Sequence, residues 1–292
     1  MSTKRLLLDT LLKQLPVSEE QEQLPSLRVT GLRVALTILT IPIAFVILLP
    51  FAYLVVWTFW GTDIVGVLRG EMTGQWVASI ALDPEWQQSL AYSIILATVV
   101  AWTGSLSLSI HFYSVRYSQG RLGLIAFGTV VLAILLPSII YAIALQTVAS
   151  TIGLPEIVLI FVGHLVVIMP IQYFVLESAQ EGINSEVLYA GTTLGASHSR
   201  NFWTVYWPQN RSSIWSAAVV GFFLSFDELV IASFVIRGPF STVPKKLWDR
   251  IDSTNDPAPA VISLLLFILY VLQVLVVLSI RRWNLKRRQL NG

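Results

Sequence analysis

Two adjacent acids, Asp227 and Glu228, stand in an apolar stretch that follows Arg211 and runs to about Ile236. A charge in the hydrocarbon of a bilayer costs a few kcal/mol, so each carboxylate must face protein or water. Such a pair can compensate ammonium groups that lose water in a narrow pore. Aromatic faces add cation–π attraction, and Trp102, Tyr141, Phe222, Phe223 and Phe226 are the candidates. The acids could equally hold two spans together or bond a partner subunit, and both readings stand on the residues alone. On one helix, adjacent positions point about 100° apart, so the two acids do different jobs. Counted from Ser213, Asp227 lies about 21 Å along that helix, in the outer third of a bilayer.

Other chemistries are excluded by residue type. There are no cysteines, hence no disulfide, thiolate metal site or cysteine nucleophile. His111, His164 and His198 lie far apart, with no carboxylate cluster beside them on one helical face, so metal-ligand spacing is missing. His164, alone in its apolar stretch, reads as a hydrogen-bonded core histidine. No Gly-x-x-x-x-Gly-Lys-[Ser/Thr] loop occurs, so the chain does not hold ATP that way. A transport subunit fits these residues better than an enzyme. A secondary transporter using the acids as proton or sodium sites is the alternative, weakened by the lack of an evident inverted repeat.

The elements that must position these residues follow from composition. The chain has 292 residues, 55% hydrophobic and 12% charged. A soluble domain carries about 25% charged residues, so lipid is the solvent this chain is built for. A spanning helix needs roughly 20 apolar residues. Six stretches qualify: between Arg33 and Asp63, between Glu85 and His111, from Arg121 to about Thr147, from Ile157 to about Leu176, from Arg211 to about Ile236, and from about Pro257 to Ile280. Pro42, Pro50, Pro137 and Pro170 fall inside them, and proline kinks are tolerated where neighbours satisfy the freed backbone. Six spans put both termini on one side. Of 19 Lys and Arg, only Arg69, Arg237, Lys245, Lys246 and Arg250 fall on the opposite side, so both termini are expected in the cytoplasm.

Three regions result. Residues 1–30 form a cytoplasmic N-terminal extension, with a short amphipathic helix through about Gln23. Residues 31–282 form a six-span domain, and 283–292 a basic cytoplasmic tail. On the fifth span Ala217, Gly221 and Ser225 recur every four residues, a spacing for close helix packing. The longest inner loop, 177–211, is expected to fold as a helix-turn-helix against the membrane. Asn184 caps its first helix, with Glu186 in the first turn. Leu188 and Leu194 give it an apolar stripe, and Gly195 closes it in the left-handed conformation. Ser197 caps a second helix through about Tyr206, which Pro208 stops.

The stretch Tyr189-Ala190-Gly191-Thr192-Thr193-Leu194-Gly195-Ala196-Ser197, followed by Val205-Tyr206-Trp207-Pro208, resembles the cytoplasmic loop of ABC importer permeases. That pattern is Glu-Ala-Ala, three residues, Gly, nine residues, Ile, any residue, Leu-Pro. The spacing fits throughout, while Tyr189 replaces Glu, Gly191 replaces Ala and Trp207 replaces Leu. The outer segment Asp83-Pro84-Glu85-Trp86 and the stretch Ser225-Phe226-Asp227-Glu228 look like the spermidine/putrescine branch. The resemblance covers roughly residues 33 to 282. It implies an all-α integral membrane protein of the type I importer permease class in a bacterial inner membrane. It further implies a second permease subunit, two ATP-binding subunits that carry the ATP and Mg, and an extracytoplasmic solute-binding protein. No cofactor is expected on this chain, and nucleic acid is not an expected partner. Tyr189, Ala190, Gly191, Gly195, Ala196, Ser197 and Pro208 would form the coupling loop.

Overall fold

A computed structural model describes residues 24–64, 67–72, 74–117, 122–253 and 258–290. The amphipathic helix expected before residue 24 lies outside them. The chain forms two units, Met1–Val56 and Trp57–Gly292. Helix α1 (Leu24–Phe59), which lies in the first unit up to Val56, passes Pro42 and Pro50 without ending at either. Side chains such as Phe45, Val46 and Leu48 are exposed along it, as in a helix bathed by lipid.

The second unit opens with a short antiparallel hairpin, β1 (Trp60–Ile64) and β2 (Val67–Met72), in which Thr62 pairs with Leu68. This hairpin departs from the all-α expectation, though the chain is predominantly helical. Helix α2 (Gln75–Leu82) leads to α3 (Pro84–Tyr117). Asp83 Oδ1 accepts the Glu85 amide at 2.8 Å, and Pro84 sits where its missing N–H is harmless. The long helix thus starts at a specified residue.

The third apolar stretch is not one helix. It is α4 (Leu122–Leu135) and α5 (Ser138–Ile152), bent by 100° at Leu136 and Pro137. Proline disfavours helix in the residue before it and removes a donor. The Tyr141 hydroxyl then fastens the corner by donating to Ala133 O at 3.2 Å. Helix α6 (Glu156–Glu177) follows unbroken through Pro170. The loop between α6 and the next long helix carries α7 (Ser185–Thr193) and α8 (His198–Asn201). Helix α9 (Trp207–Phe226) ends at Asp227, and a separate short α10 (Val230–Val235) completes the expected fifth stretch. Helix α11 (Val243–Ser253) leads to α12 (Ala258–Leu290).

By length and composition, α1, α3, α6 and α12 can cross a membrane, and the bent α4–α5 pair makes five. The remaining stretch begins with Gln209, Asn210 and Arg211 and breaks after Phe226. The core of the second unit is where α3, α6 and α9 pack. Gln172 of α6 is fully buried there, and its amide donates to Ala101 O at 2.9 Å, Ser105 Oγ at 3.0 Å and Ala217 O at 3.1 Å. Gly104 and Gly221 face this amide from the two neighbouring helices, and a Cβ at either would overlap it. One amide nitrogen in an apolar interior, bonded only when three helices meet, specifies their register.

Candidate functional site

The expected helix-turn-helix is present, and its local signals act as read. The Asn184 side chain accepts the Glu186 amide at 2.9 Å and the Val187 amide at 3.3 Å, capping α7. Gly195 has φ +83°, where a Cβ would be strained. Around it, Ala196 N donates to Gly191 O at 3.1 Å and Gly195 N to Thr192 O at 3.0 Å. These two bonds satisfy carbonyls that the helix end would otherwise strand. Ser197 Oγ accepts the Arg200 amide at 3.3 Å and starts α8.

Two expectations for this loop are corrected. Pro208 stops no helix. The chain stays helical from His198 to Phe226, through a wider π turn at Phe202–Tyr206. A proline ring clashes with the carbonyl four residues back, and the widened turn lies where Pro208 needs that relief. Nor do Leu188 and Leu194 form one apolar stripe. Leu188 is 1% exposed, whereas Leu194 is 88% exposed at the tip. Val187, Tyr189 and Trp203 are exposed beside it, so the loop presents an apolar cap away from the bundle.

The buried side of the loop is fastened to the ends of α3, α6 and α9. Tyr113, Tyr173, Leu176, Leu188, Phe202 and Tyr206 belong to one apolar cluster there. Tyr206 Oη donates to Gln180 Oε1 at 3.3 Å and accepts from Asn210 at 3.1 Å. Burial raises the pKa of this phenol above the ordinary tyrosine value, against the pull of those hydrogen bonds, so it remains a donor. Gly191, standing where the pattern has Ala, packs on Asn201, and a Cβ would meet Asn201 Oδ1 at 2.6 Å. Asn201 in turn donates to Leu188 O at 2.8 Å, tying α8 to α7. Tyr189, standing where the pattern has Glu, donates its hydroxyl to Arg116 O at 3.1 Å. Ala190 is exposed and Ala196 half-buried.

The pathway candidates do not gather around one space. Trp102 is half-buried and meets Trp215 edge-on at 4.6 Å. Tyr141 holds the α4–α5 corner. Phe226 is 2% exposed in a cluster with Ile80, Trp86 and Val261, and Phe223 is half-buried against Phe222 and Tyr270. The acids sit at a helix break rather than on one helix. Asp227 is exposed at the end of α9. Glu228 is buried, and its carboxylate accepts the Val230 amide at 3.2 Å and the Ile231 amide at 2.8 Å, capping α10. His164 stands 3.9 Å from that carboxylate and shares a 2.8 Å hydrogen bond with Ser225. Ser225 and Gly221 of the small-residue stripe thus serve packing, as their spacing indicated.

Sequence reasoning missed Gln172, Arg116 and Tyr113. Gln172 had a signal, as the lone amide midway in an apolar span. Arg116 and Tyr113 had none, because their partners lie 64 to 85 positions away. Among the described residues no cluster of three or more His, Cys, Asp or Glu could hold a metal. Two cavities flank α6. One of about 350 Å³ lies at the loop end beside His111, Arg116 and Glu177. The other, of about 400 Å³, lies between α3 and α6 and is lined by Tyr92, Phe161 and Phe240 among others.

Comparison with known proteins gives a consistent result. Residues 105–289 match the family described as binding-protein-dependent transport system inner membrane component. The chain is 23% identical over 190 residues to the spermidine/putrescine transport system permease protein PotC of Escherichia coli (strain K12), covering 65% of this chain and 70% of that one. It is 24% identical over 220 residues to the putrescine transport system permease protein PotI of the same organism, covering 71% and 76%. A crystal structure of an amino acid ABC transporter with histidines superposes with a TM-score of 0.51 at 14% identity, over 72% of this chain and all of the other. That likeness concerns the fold.

Proposed function

Because the chain belongs to the family of inner membrane components of binding-protein-dependent transport systems, we propose that it is the permease subunit through which an ATP-driven importer passes a small organic cation of the polyamine class. It pairs with a second permease subunit, alike or different. A solute-binding protein delivers the cation from outside, and two ATP-binding subunits, which hold the ATP and Mg, dock from the cytoplasm. Both termini lie on that cytoplasmic side. This subunit performs no chemistry of its own. Its work is to convert closure of the ATPase pair into a change of helix tilt, driven by the preference of ATP for the closed state.

The observation that carries this reading is the loop. A helix-turn-helix closed by Gly195 is bound on one side to three helix ends and bares Leu194 and Trp203 on the other. An apolar tip on a rigid mount fits a cleft of a partner subunit. The polyamine class rests on the named relatives and on Asp227, an exposed acid at a break in a membrane helix.

The test is reconstitution in proteoliposomes with the partner subunits. Gly195→Arg and Ala190→Arg should lower ATP-dependent uptake to background, and Leu194→Arg should also lose the copurifying ATPase. Normal import by the Gly195→Arg and Ala190→Arg variants with the ATPase bound would refute the coupling role. Uptake driven by an ion gradient, with no ATPase present, would replace the importer with a secondary transporter.

A further inference from the structure

The loop is covalently continuous with α6 at one end and α9 at the other, but not with α3. Yet the last turns of α3 carry more hydrogen bonds to the loop than any apolar contact requires. Arg116 Nη1 donates to Ser185 Oγ at 2.7 Å, and Nη2 donates to Gln180 O and to Gln180 Oε1. Ser185 is the first residue of α7, and Gln180 lies in the turn that joins α6 to it. Tyr113, one turn earlier, donates its hydroxyl to His198 O at 2.9 Å, at the start of α8. Tyr189 of α7 closes the set by donating to Arg116 O.

We propose that Arg116, seconded by Tyr113, is the strut that makes α3 move with the loop, a positioning role in transport. The proposal rests on the importer reading. Its physical basis is the difference between packing and forked hydrogen bonding. Apolar contacts along α3 are non-directional and fix no bond angle. A guanidinium is planar and rigid, and three hydrogen bonds fix both its distance and its angle. Placed at the junction of α6 and α7, it resists sliding where the loop would push. A displacement of α7 is then delivered to a third helix that has no peptide link to it, and Gln172 carries the same register deeper into the bundle.

Arg116→Ala in the full complex should keep the ATPase subunits bound and hydrolysing ATP. Substrate moved per ATP should fall about tenfold, within the range of a coupling free energy. Arg116→Lys, which keeps the charge but not the fork, should recover part of the ratio, and Tyr113→Phe should lower it less. Should Arg116→Ala not reach the membrane, the pair Ser185→Ala with Tyr113→Phe carries the same expectation with smaller changes. An unchanged ratio of uptake to hydrolysis overturns the proposal. So does loss of the ATPase from the complex, which would make Arg116 part of the docking surface. A second readout is independent of transport. The chain has no cysteines, so spin labels at Ser114→Cys and Ser199→Cys report the distance between α3 and the loop. That distribution should be narrow in the parent chain and broad with Arg116→Ala. Equal widths overturn the strut, whereas a parent complex without ATP-dependent uptake sinks the importer reading alone.

Discussion

Glu228 and Asp227 are neighbours with opposite circumstances, and one experiment separates their roles. Glu228 holds two amides of α10 from a buried position. Glu228→Ala strips that cap, and removing a cap costs about 1 kcal/mol. A lower melting temperature of the detergent-purified complex is expected, with Glu228→Gln intermediate. Asp227 is exposed at the end of α9, beside Tyr270 of α12. Asp227→Asn, which keeps a side chain able to bond Tyr270, should lower the melting temperature less than Glu228→Ala and raise the half-saturation concentration for an amine several-fold, through loss of a charge that compensates desolvation. Unchanged amine uptake would make Asp227 a surface residue. Gln172 offers a third test. Gly221→Val drives a side chain into the amide, so it should destabilise more than Gln172→Leu does. Combining Gln172→Ala with Gly221→Ala should cost less than the two single changes together, since contacting residues are non-additive by 0.5 kcal/mol or more. Strict additivity in thermal unfolding would show that the two helices do not meet through this amide. These roles were partly legible. An amide in an apolar span announces a buried hydrogen bond. That Glu228 is a cap was not legible, because no Gly or Pro marks the end of α9, and the helix stops for tertiary reasons.

At the scale of elements, the local punctuation of the loop was readable, since Asn184, Gly195 and Ser197 act on residues two to four positions away. The proline signals were harder. Pro42, Pro50 and Pro170 sit inside continuous helices, whereas Pro137 marks a 100° corner. A proline weakens a helix everywhere, and only the surroundings decide whether it kinks or breaks. At 137 a Tyr141 hydroxyl waits across the corner. Pro208 shows a third outcome, a π turn that keeps the helix going. That turn is one residue richer than an α turn would be. Deleting exposed Thr204 should remove that extra residue and return the turn to α geometry, which keeps the flanking faces in register but takes away the relief that Pro208 needs, so the ring clash displaces the loop. The variant is expected to fold, judged by helical content, but not to retain the ATPase on copurification. If it does retain the ATPase, the orientation of the loop is not set by this turn.

At the scale of the molecule, α6 is the hub of the second unit. His164, Gln172 and, just past its end, Gln180 recur at eight-residue intervals, and each reaches a neighbouring helix. They make α3, α6, α9 and the loop a block with a few directional joints in an otherwise apolar interior. The α4–α5 and α9–α10 segments, broken at Pro137 and after Phe226, border that block. Composition alone revealed a membrane protein. Which helices travel together was hidden, because pairing across 45 to 85 positions leaves no local trace.

The inward turn of Tyr189 bears on promiscuity. Where the family pattern has Glu, this chain has a phenol that bonds the backbone of its own α3. On the importer reading, an ATPase with a basic patch matched to an acid would meet a half-exposed phenol ring whose hydroxyl is already engaged with α3. The cognate ATPase should tolerate neutralisation of that patch, and exchanging ATPases between systems should fail in one direction more than in the other.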